Sequence, residues 1–325
     1  MYLAGDIGGT KTHLAIYKKE GSKVVCVREK KFPSQKYPNL RSIVKEFLLE
    51  EVVKKACFGI AGPVRNGKSH ATNLPWVVDT EVLSTTFNIE KVSLINDLEA
   101  NAYGVKELSK EELFELNKGD PDGVGNQAII SAGTGLGEAG IFFDGNRYYP
   151  FACEGGHSDF APRSPVEDEL LIYLREKFTH VSYERILSGP GLYNVYEFVV
   201  KTKKKVEDQA VFDEIKAGDS AKLITEKGMS NASEACAYTL ELFVSIYGAE
   251  VGNMALKMLA FGGIFIGGGI APKILSVIKK GSFLASFKEK GRFSGLLESI
   301  PIHVILNDNT ALLGAMVYAR DVMSI

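Results

Sequence analysis

The pattern of apolar and polar positions at the start of the chain predicts three strands followed by a helix. The first two strands flank the Gly8-Gly9 pair and form a hairpin, because strand-forming residues lie on both sides of this tight turn. Residues 24–32 are rich in β-branched residues and predict a third strand. Residues 40–54 predict a helix, since one helical face would carry Leu40, Ile43, Val44, Phe47 and Leu48.

Further along the chain the pattern alternates between strands and helices, which predicts an α/β fold. Residues 55–61 and 92–95 are short buried strands, and residues 128–143 repeat the strand-glycine-strand arrangement of the first hairpin. A capping box at 164–167, with proline at the first helical position, predicts a helix that begins at residue 165. The remaining elements are a buried scaffold helix or helix pair at 232–261, a strand and triple-glycine turn at 262–269 followed by a helix with Pro272 in its first turn, a strand at 302–306 and an amphipathic helix at 309–320.

Composition excludes several classes of protein. The chain has 325 residues, of which 45% are hydrophobic and 24% charged, as in globular proteins of two domains. A formal net charge of -2 gives no electrostatic reason to expect nucleic acid as a partner. Without a signal-peptide pattern or an apolar stretch of membrane-spanning length, we expect a cytoplasmic protein with no membrane partner. The four cysteines form no C-x-x-C pair, which predicts reduced, mostly buried thiols.

The first glycine hairpin carries the residue types of a phosphate cradle. Glycine lets backbone N–H groups approach an anion where a Cβ would clash, and Thr10 and Lys11 add a hydroxyl and a cation. Asp6, just before Gly8 and Gly9, could hold a divalent cation through water. A plain tight turn is the alternative. The second hairpin, with Gly133-Thr134 in place of Gly9-Thr10, favours the phosphate interpretation, because two such hairpins can face one nucleotide.

Residues 62–69 satisfy the G-x-x-x-x-G-K-[ST] pattern of a P-loop, but we reject this interpretation. A P-loop leads directly into a helix whose N-terminus faces the phosphates, whereas Pro75 interrupts the chain shortly after this stretch. We predict instead that Asn66-Gly67 forms a hairpin turn.

Several polar residues stand where ligands commonly bind. Asn96 and Asp97 follow the strand at 92–95, at the type of strand end that lines ligand sites in open α/β sheets; a helix N-cap is the alternative role of Asp97. Residues 153–162 place three titratable side chains around two glycines. The fixed loop at 73–76 either lines a ligand cleft or packs Trp76 against its own domain. Three glycine turns and the acids Asp6, Asp97, Glu154 and Glu184 form a set that suits a nucleotide and a polyol.

These motifs together resemble the bacterial-type glucokinases of the hexokinase, actin and Hsp70 superfamily, and the resemblance runs nearly from end to end. The motifs that carry it are Asp-Ile-Gly-Gly-Thr-Lys at 6–11, Thr-Asn-Leu-Pro-Trp at 72–76, Ile-Asn-Asp at 95–97, Ala-Gly-Thr-Gly-Leu-Gly at 132–137, Glu-Gly-Gly-His-Ser-Asp-Phe-Ala-Pro at 154–162, Glu-Arg-Ile-Leu-Ser-Gly-Pro-Gly at 184–191, Gly-Gly-Ile at 268–270 and a Leu-Leu-Gly-Ala turn at 312–315.

The resemblance implies ATP-dependent phosphorylation of glucose at its 6-hydroxyl, with Asp97 as the general base. The implied sugar-binding residues are Asn73, Asn96, Gly135, Glu154, His157 and Glu184. The implied cofactors are ATP and Mg²⁺, with Asp6 binding Mg²⁺ through water. The residues implied to bind ATP are Asp6, Gly8, Gly9, Thr10, Lys11, Gly133, Thr134, Gly268 and Gly269.

The resemblance also implies a two-lobed actin-like ATPase (ribonuclease H-like) fold, with a mixed sheet in each domain and a cleft that closes on the sugar. The small domain would contain residues 1–107 and the C-terminal helix at 308–325, and the large domain residues 108–307. We further expect a homodimer, which is common in the family.

Two alternatives on the same fold differ in function. A kinase for another hexose or an amino sugar stays open, because residue types do not report hydroxyl stereochemistry. A sugar-sensing regulator has less support: the related repressor, open reading frame and kinase proteins that regulate transcription carry a helix-turn-helix before the phosphate hairpin, and only five residues precede Asp6. The zinc-binding cysteine cluster of those relatives is not present in the sequence either, so zinc is not expected.

Overall fold

The computed structural model describes residues 1–21, 23–71 and 74–324. Contacts divide the chain into two units. Unit 1 contains Met1–Glu112, Pro150–Ala152 and Asn307–Ile325, and unit 2 contains Leu113–Tyr149 and Cys153–Leu306.

The strands and helices follow one another in a largely alternating order. As far as residue 104 they are β1 (Tyr2–Ile7), β2 (Lys11–Glu20), β3 (Lys23–Pro33), α1 (Leu40–Leu48), β4 (Lys55–Ile60), β5 (Val64–Arg65), β6 (Lys68–His70), β7 (Val77–Asp79), α2 (Thr80–Phe87), β8 (Lys91–Asn96) and α3 (Asp97–Gly104). The later elements are β9 (Leu113–Asn117), β10 (Gln127–Ala132), β11 (Leu136–Phe143), β12 (Tyr148–Cys153), α4 (Pro165–Arg175), α5 (Gly189–Lys201), α6 (Gln209–Ala217), α7 (Ser220–Met229), α8 (Glu234–Met258), β13 (Ile264–Gly267), α9 (Leu275–Ile278), α10 (Ser282–Lys288), α11 (Ser294–Glu298), β14 (Ile302–Ile305) and α12 (Thr310–Asp321).

Unit 1 is built on a mixed sheet with the strand order β3-β2-β1-β4-β8. The strands β1, β2 and β3 pair antiparallel, whereas β1, β4 and β8 pair parallel. One face of the sheet is covered by α1, whose apolar side chains are the five predicted from the sequence. The other face is covered by α3 and α12. These two helices cross closely at Gly104 and Gly314, where a Cβ on either residue would overlap the backbone of the partner helix.

Unit 2 contains a second mixed sheet, with the order β12-β11-β10-β13-β14-β9. The β10–β11 hairpin is antiparallel, and β10, β13 and β14 are parallel, so this hairpin takes the position in its sheet that β1–β2 takes in unit 1. The 25-residue helix α8 is buried along most of its length and packs in the core of the unit.

The predicted fold class is confirmed: the chain has an α/β fold with a mixed sheet in each unit. The initial β-β-β-α order is also confirmed, as are both glycine hairpins and the start of α4 at Pro165, which Ser164 caps. The rejected P-loop is a hairpin in which Asn66 and Gly67 both have positive φ, as the sequence predicted.

Other predicted boundaries are wrong. Helix α1 ends at Leu48, six residues early, because Leu49 adopts a left-handed φ of 53° that stops the helix. Pro272 lies in turns before α9, which begins only at Leu275. Residues 312–315 are not a turn but part of α12.

The four cysteines are free thiols. Cys57 and Cys236 are buried and Cys153 is partly buried, whereas Cys26 is exposed.

Within the described residues, none of the helices has the length and apolar character needed to span a bilayer.

Candidate active site

The first glycine hairpin is a tight connection between β1 and β2. The backbone N–H of Gly8 donates to the carbonyl of Lys11 at 3.0 Å, which closes the turn. Thr10 and Lys11 are exposed, so the hydroxyl and the cation predicted to contact phosphate are accessible to a ligand.

Ser34 braces this hairpin, a role that the sequence does not reveal. Its hydroxyl donates to the carbonyl of Gly8 at 2.8 Å and lies 2.9 Å from the Thr12 hydroxyl. Its backbone N–H donates to the carbonyl of Thr10 at 3.0 Å. Because Ser34 lies beyond the end of β3, only the pairing of β2 with β3 brings it to the turn.

Asp6 is the last-but-one residue of β1, beside the turn. Burial raises the pKa of its carboxyl from 3.8 to about 6, and the positive charge of Lys11 lowers it in part. A cation bound close to Asp6 would favour the ionised form of its carboxyl group. Among the described residues there is no cluster of three or more acidic, histidine or cysteine ligands for a metal. A single carboxylate is nevertheless sufficient for Mg²⁺ that is held mainly by waters and substrate phosphates, so the residues present fit this ion.

The second glycine hairpin lies against the triple-glycine turn that follows β13. The Ile270 N–H donates to the carbonyl of Ala132 at 3.3 Å, and a Cβ on Gly268 would overlap that same carbonyl. An ideal Cβ on Gly133 or Gly269, in contrast, would meet no atom within 4 Å. The fold thus places the second glycine hairpin beside the turn at Gly268 and Gly269, and it leaves space at the Cβ positions of Gly133 and Gly269.

Glu184 is held by the start of β11. It lies in the 3₁₀ turn Tyr183–Arg185, and its Oε2 accepts a hydrogen bond from the Leu136 N–H at 2.9 Å. Gly135 is glycine for a steric reason, since its Cβ would lie 2.6 Å from the same oxygen. The other carboxylate oxygen is 3.7 Å from Nε2 of His157. Gly135, His157 and Glu184 therefore form one cluster.

The 154–157 loop forms a 3₁₀ turn, Gly155–His157, with Glu154 as its N-cap residue. The His157 N–H donates to the carbonyl of Glu154 at 3.0 Å, and Nε2 of His180 lies 2.9 Å from the carbonyl of His157. The side chains of Glu154 and His157 are exposed. The loop thus presents an exposed acid and an exposed imidazole, and the imidazole lies beside Glu184.

Asn96, not Asp97, is the N-cap of α3, so the alternative role of Asp97 as the cap is wrong. The Oδ1 of Asn96 accepts hydrogen bonds from the N–H groups of Leu98 at 2.9 Å and Glu99 at 3.4 Å. Asp97 is the first helical residue, and its Oδ1 accepts from the Leu98 N–H at 3.0 Å. Its carboxylate is partly exposed at the end of β8.

The tryptophan of the 73–76 loop packs within unit 1. Trp76 is 2% exposed, and its indole N–H donates to the carbonyl of Tyr37 at 3.2 Å. Trp76 therefore has the packing role that the sequence allowed for it. Asn73 lies outside the described residues.

Comparisons with known proteins agree with the resemblance seen in the sequence. The glucokinase family model matches residues 3–322. A glucokinase of Trichormus variabilis is 41% identical over 337 residues and covers 98% of each chain. The crystal structure of a glucokinase from an Antarctic psychrotroph has a TM-score of 0.86 at 29% identity, again covering 98% of each chain.

A more distant solved structure shares the fold. A glucokinase of the repressor, open reading frame and kinase family from Streptomyces griseus, solved in complex with glucose and AMPPNP, has a TM-score of 0.64 at 19% identity. The match covers 98% of this chain and 99% of the Streptomyces griseus chain. The family model and the relative that is 41% identical both extend over nearly the whole chain, and we conclude that the chain belongs to the glucokinase family of sugar kinases.

Proposed function

We propose that the protein transfers the γ-phosphoryl group of ATP to the 6-hydroxyl of glucose, with Asp97 as the general base. The observation that carries the assignment of Asp97 is the capping of α3 by Asn96. Because its neighbour Asn96 supplies the cap, capping of α3 does not account for a carboxylate at position 97.

In the proposed reaction the oxygen of the sugar 6-hydroxyl forms a bond to the γ-phosphorus, and the bond from that phosphorus to the bridging oxygen of ADP breaks. The hydroxyl proton moves to the carboxylate of Asp97. A positioned carboxylate of this kind typically contributes on the order of 10² to 10⁴ in rate.

The remaining sugar hydroxyls are assigned to Glu154, His157 and Glu184, together with Asn96, Asn73 and the backbone at Gly135. Support comes from the cluster in unit 2, where Glu184 is fixed by the Leu136 N–H and lies beside His157. Fixed carboxylate and imidazole groups suit a polyol, since each can accept from or donate to more than one hydroxyl.

The ATP phosphates are assigned to the two glycine hairpins and to the turn at Gly268 and Gly269. Their support is the accessible Thr10 and Lys11 and the open space at Gly133 and Gly269. The AMPPNP and glucose named with the Streptomyces griseus structure are consistent with this pair of substrates. Mg²⁺, held by Asp6 through water, would neutralise phosphate charge.

A coupled assay of ADP release tests the function. Purified protein is given Mg²⁺ with ATP and, in turn, glucose, mannose, fructose, galactose, glucosamine and N-acetylglucosamine. We expect the highest kcat/KM with glucose and a product phosphorylated at the 6-position. A higher kcat/KM with another sugar would make the protein a kinase of that sugar, and sugar binding without ADP release would support a sugar-sensing regulator instead.

The sugar assignment is tested with Glu154→Ala, His157→Ala and Glu184→Ala. Each change removes a partner of a sugar hydroxyl, at a cost of roughly 1 to 3 kcal/mol in binding, so KM for glucose should rise more than KM for ATP. A rise in KM for ATP alone would assign these residues to another site.

The homodimer and the cytoplasmic location remain predictions. Sedimentation velocity over a range of protein concentrations tests the first, and fractionation of the source cells tests the second.

A further inference from the structure

A buried glutamate of β11 lies directly beneath the 154–157 loop. Glu138 is 3% exposed, and its Oε1 is buried without a hydrogen-bond partner among the described residues. An ideal Cβ on Gly155 would lie 2.8 Å from the Glu138 carboxyl carbon and would overlap its Oε2. All three atoms nearest to that Cβ belong to Glu138, so the side chain of Glu138 packs directly against Gly155.

A second buried carboxylate, Glu250 of α8, acts electrostatically on Glu138. It is fully buried and accepts a hydrogen bond from the side chain of Asn253 at 2.8 Å, and Nζ of Lys257 lies 3.6 Å from its other oxygen. The side chain of Asn253 also donates to the hydroxyl of Tyr183 at 3.0 Å, and Tyr183 is the residue before Glu184. The two glutamates thus support the two segments assigned to the sugar.

The two buried carboxylates differ in the positive and hydrogen-bonding groups that lie close enough to compensate their charge. The Glu250 carboxylate lies near the ammonium group of Lys257 and accepts from the side-chain amide of Asn253. Lys290 in turn donates to the amide oxygen of Asn253 at 2.7 Å. The groups that act on Glu138 are Glu250, Lys257, Tyr247 and Cys153, whose thiol donates to the Glu138 backbone carbonyl at 3.4 Å. Burying a carboxylate without direct compensation is costly, and such a group takes up a proton instead. Burial, with the charge of Glu250 adding to it and that of Lys257 opposing it, raises the pKa of Glu138 to about 7.

Given the proposed sugar kinase function, we propose that Glu138 is a positioning residue: its protonated side chain holds the 154–157 loop in the arrangement that binds sugar, and Glu250 favours that protonated form. A carboxylate at the same place would need a hydrogen-bond donor at Oε1, and the part of the chain that the structure describes supplies none there. Loss of the proton therefore displaces the loop and weakens sugar binding without removing any group that touches the sugar.

The first test compares pH profiles. KM for glucose in the unchanged protein should rise as pH increases above about 7, by at most tenfold for each pH unit, while kcat changes less. Glu138→Gln, which is permanently neutral, should lose this rise, and Glu250→Gln should shift it to lower pH. Glu169→Gln, at an exposed glutamate of α4, is the matched control and should keep the profile. The readout is the difference in pH profile between each variant and the unchanged protein.

The second test uses steric complementation and does not depend on Glu138→Gln folding. Gly155→Ala should raise KM for glucose by roughly 10- to 100-fold, because the added methyl group displaces the loop. In a Glu138→Ala background the same change should cost much less, since the overlapping atoms are gone. An equal cost in both backgrounds, or a Glu138→Gln protein with an unaltered pH profile, would overturn the inference. Failure of the unchanged protein to phosphorylate any sugar would instead reject the proposed function.

Discussion

The Oε2 atom of Glu184 accepts a hydrogen bond from the backbone N–H of Leu136, at 2.9 Å. Leu136 begins β11 immediately after the second glycine hairpin, so a group assigned to sugar is anchored on the segment assigned to phosphate. The same oxygen would be 2.6 Å from a Cβ at position 135. Displacement of the hairpin is therefore transmitted directly to Glu184.

Gly135→Ala and Gly133→Ala should have different effects although they lie two residues apart. The first forces the Glu184 carboxylate away from the Leu136 N–H, and loss of a charge-assisted bond of roughly 1.5 to 3 kcal/mol should raise KM for glucose about 10- to 100-fold. The second places a methyl group in open space where phosphate is expected, so KM for ATP should rise most. Gly295→Ala, also open, is the matched control and should change neither. Steady-state kinetics with glucose and ATP varied in turn measure both KM values. If Gly135→Ala and Gly133→Ala changed the same KM, the assignment of Gly135 to sugar and Gly133 to phosphate would be refuted.

Asp97→Asn separates catalysis from stability. We expect turnover to fall on the order of 10² to 10⁴ because the base is lost, with glucose affinity changed tenfold or less. The melting temperature should stay near that of the unchanged protein, since Asn96 retains the cap. Asn96→Ala should show the opposite stability result, with a loss of about 1 kcal/mol in the free energy of unfolding. Near-normal turnover in Asp97→Asn would exclude the general-base mechanism.

Lys68 of the P-loop-like stretch should be dispensable. Its Nζ pairs with Asp79 at 2.9 Å on the surface, and Gly67 before it turns a β-hairpin rather than starting a helix. Lys68→Ala should therefore keep near-normal kcat and KM for ATP. Gly9→Val should abolish phosphoryl transfer, because a branched side chain enters the first hairpin. Circular dichroism verifies that both variants are folded, and a large loss of activity in folded Lys68→Ala would contradict the assignment of phosphate to the hairpins.

Protonation of Asp6 should weaken Mg²⁺–ATP binding at low pH. With a pKa of about 6, the carboxylate needed for the cation is lost as pH falls below 6, so KM for Mg²⁺–ATP should rise there. Asp6→Asn should have a high KM at all pH values. The comparison requires kinetics from pH 5 to 8 at saturating glucose; a profile of Asp6→Asn parallel to that of the unchanged protein would assign the titration to another group.

The same shift in the Asp6 pKa has a consequence for stability. The unfolded chain releases this proton near pH 3.8 and the folded protein near pH 6, so folding takes up a proton between these values. The free energy of unfolding contributed by Asp6 therefore falls as pH rises through this window and is level above it. Asp6→Asn should accordingly raise the melting temperature more at pH 8 than at pH 4, as thermal denaturation at the two pH values can show.

Local sequence determined much of the architecture of this protein. The Gly8-Gly9 and Asn66-Gly67 turns, the apolar face of α1 and the start of α4 at Pro165 depend on residues close together in the chain, where backbone preferences and side-chain periodicity act directly. The motifs that resemble glucokinases are local as well. They could therefore be recognised without knowing which residues meet in the fold.

Only the tertiary structure decided how these motifs are supported. The brace from Ser34 to Gly8 depends on strand pairing, and the contact of Glu184 with Leu136 joins segments 48 positions apart. The sequence left open whether Asp97 is the cap of the following helix, and only the geometry shows that its neighbour Asn96 caps α3. Burial of Glu138 beneath Gly155 had no local signal at all, since exposure of a side chain is set by what the rest of the chain packs against it.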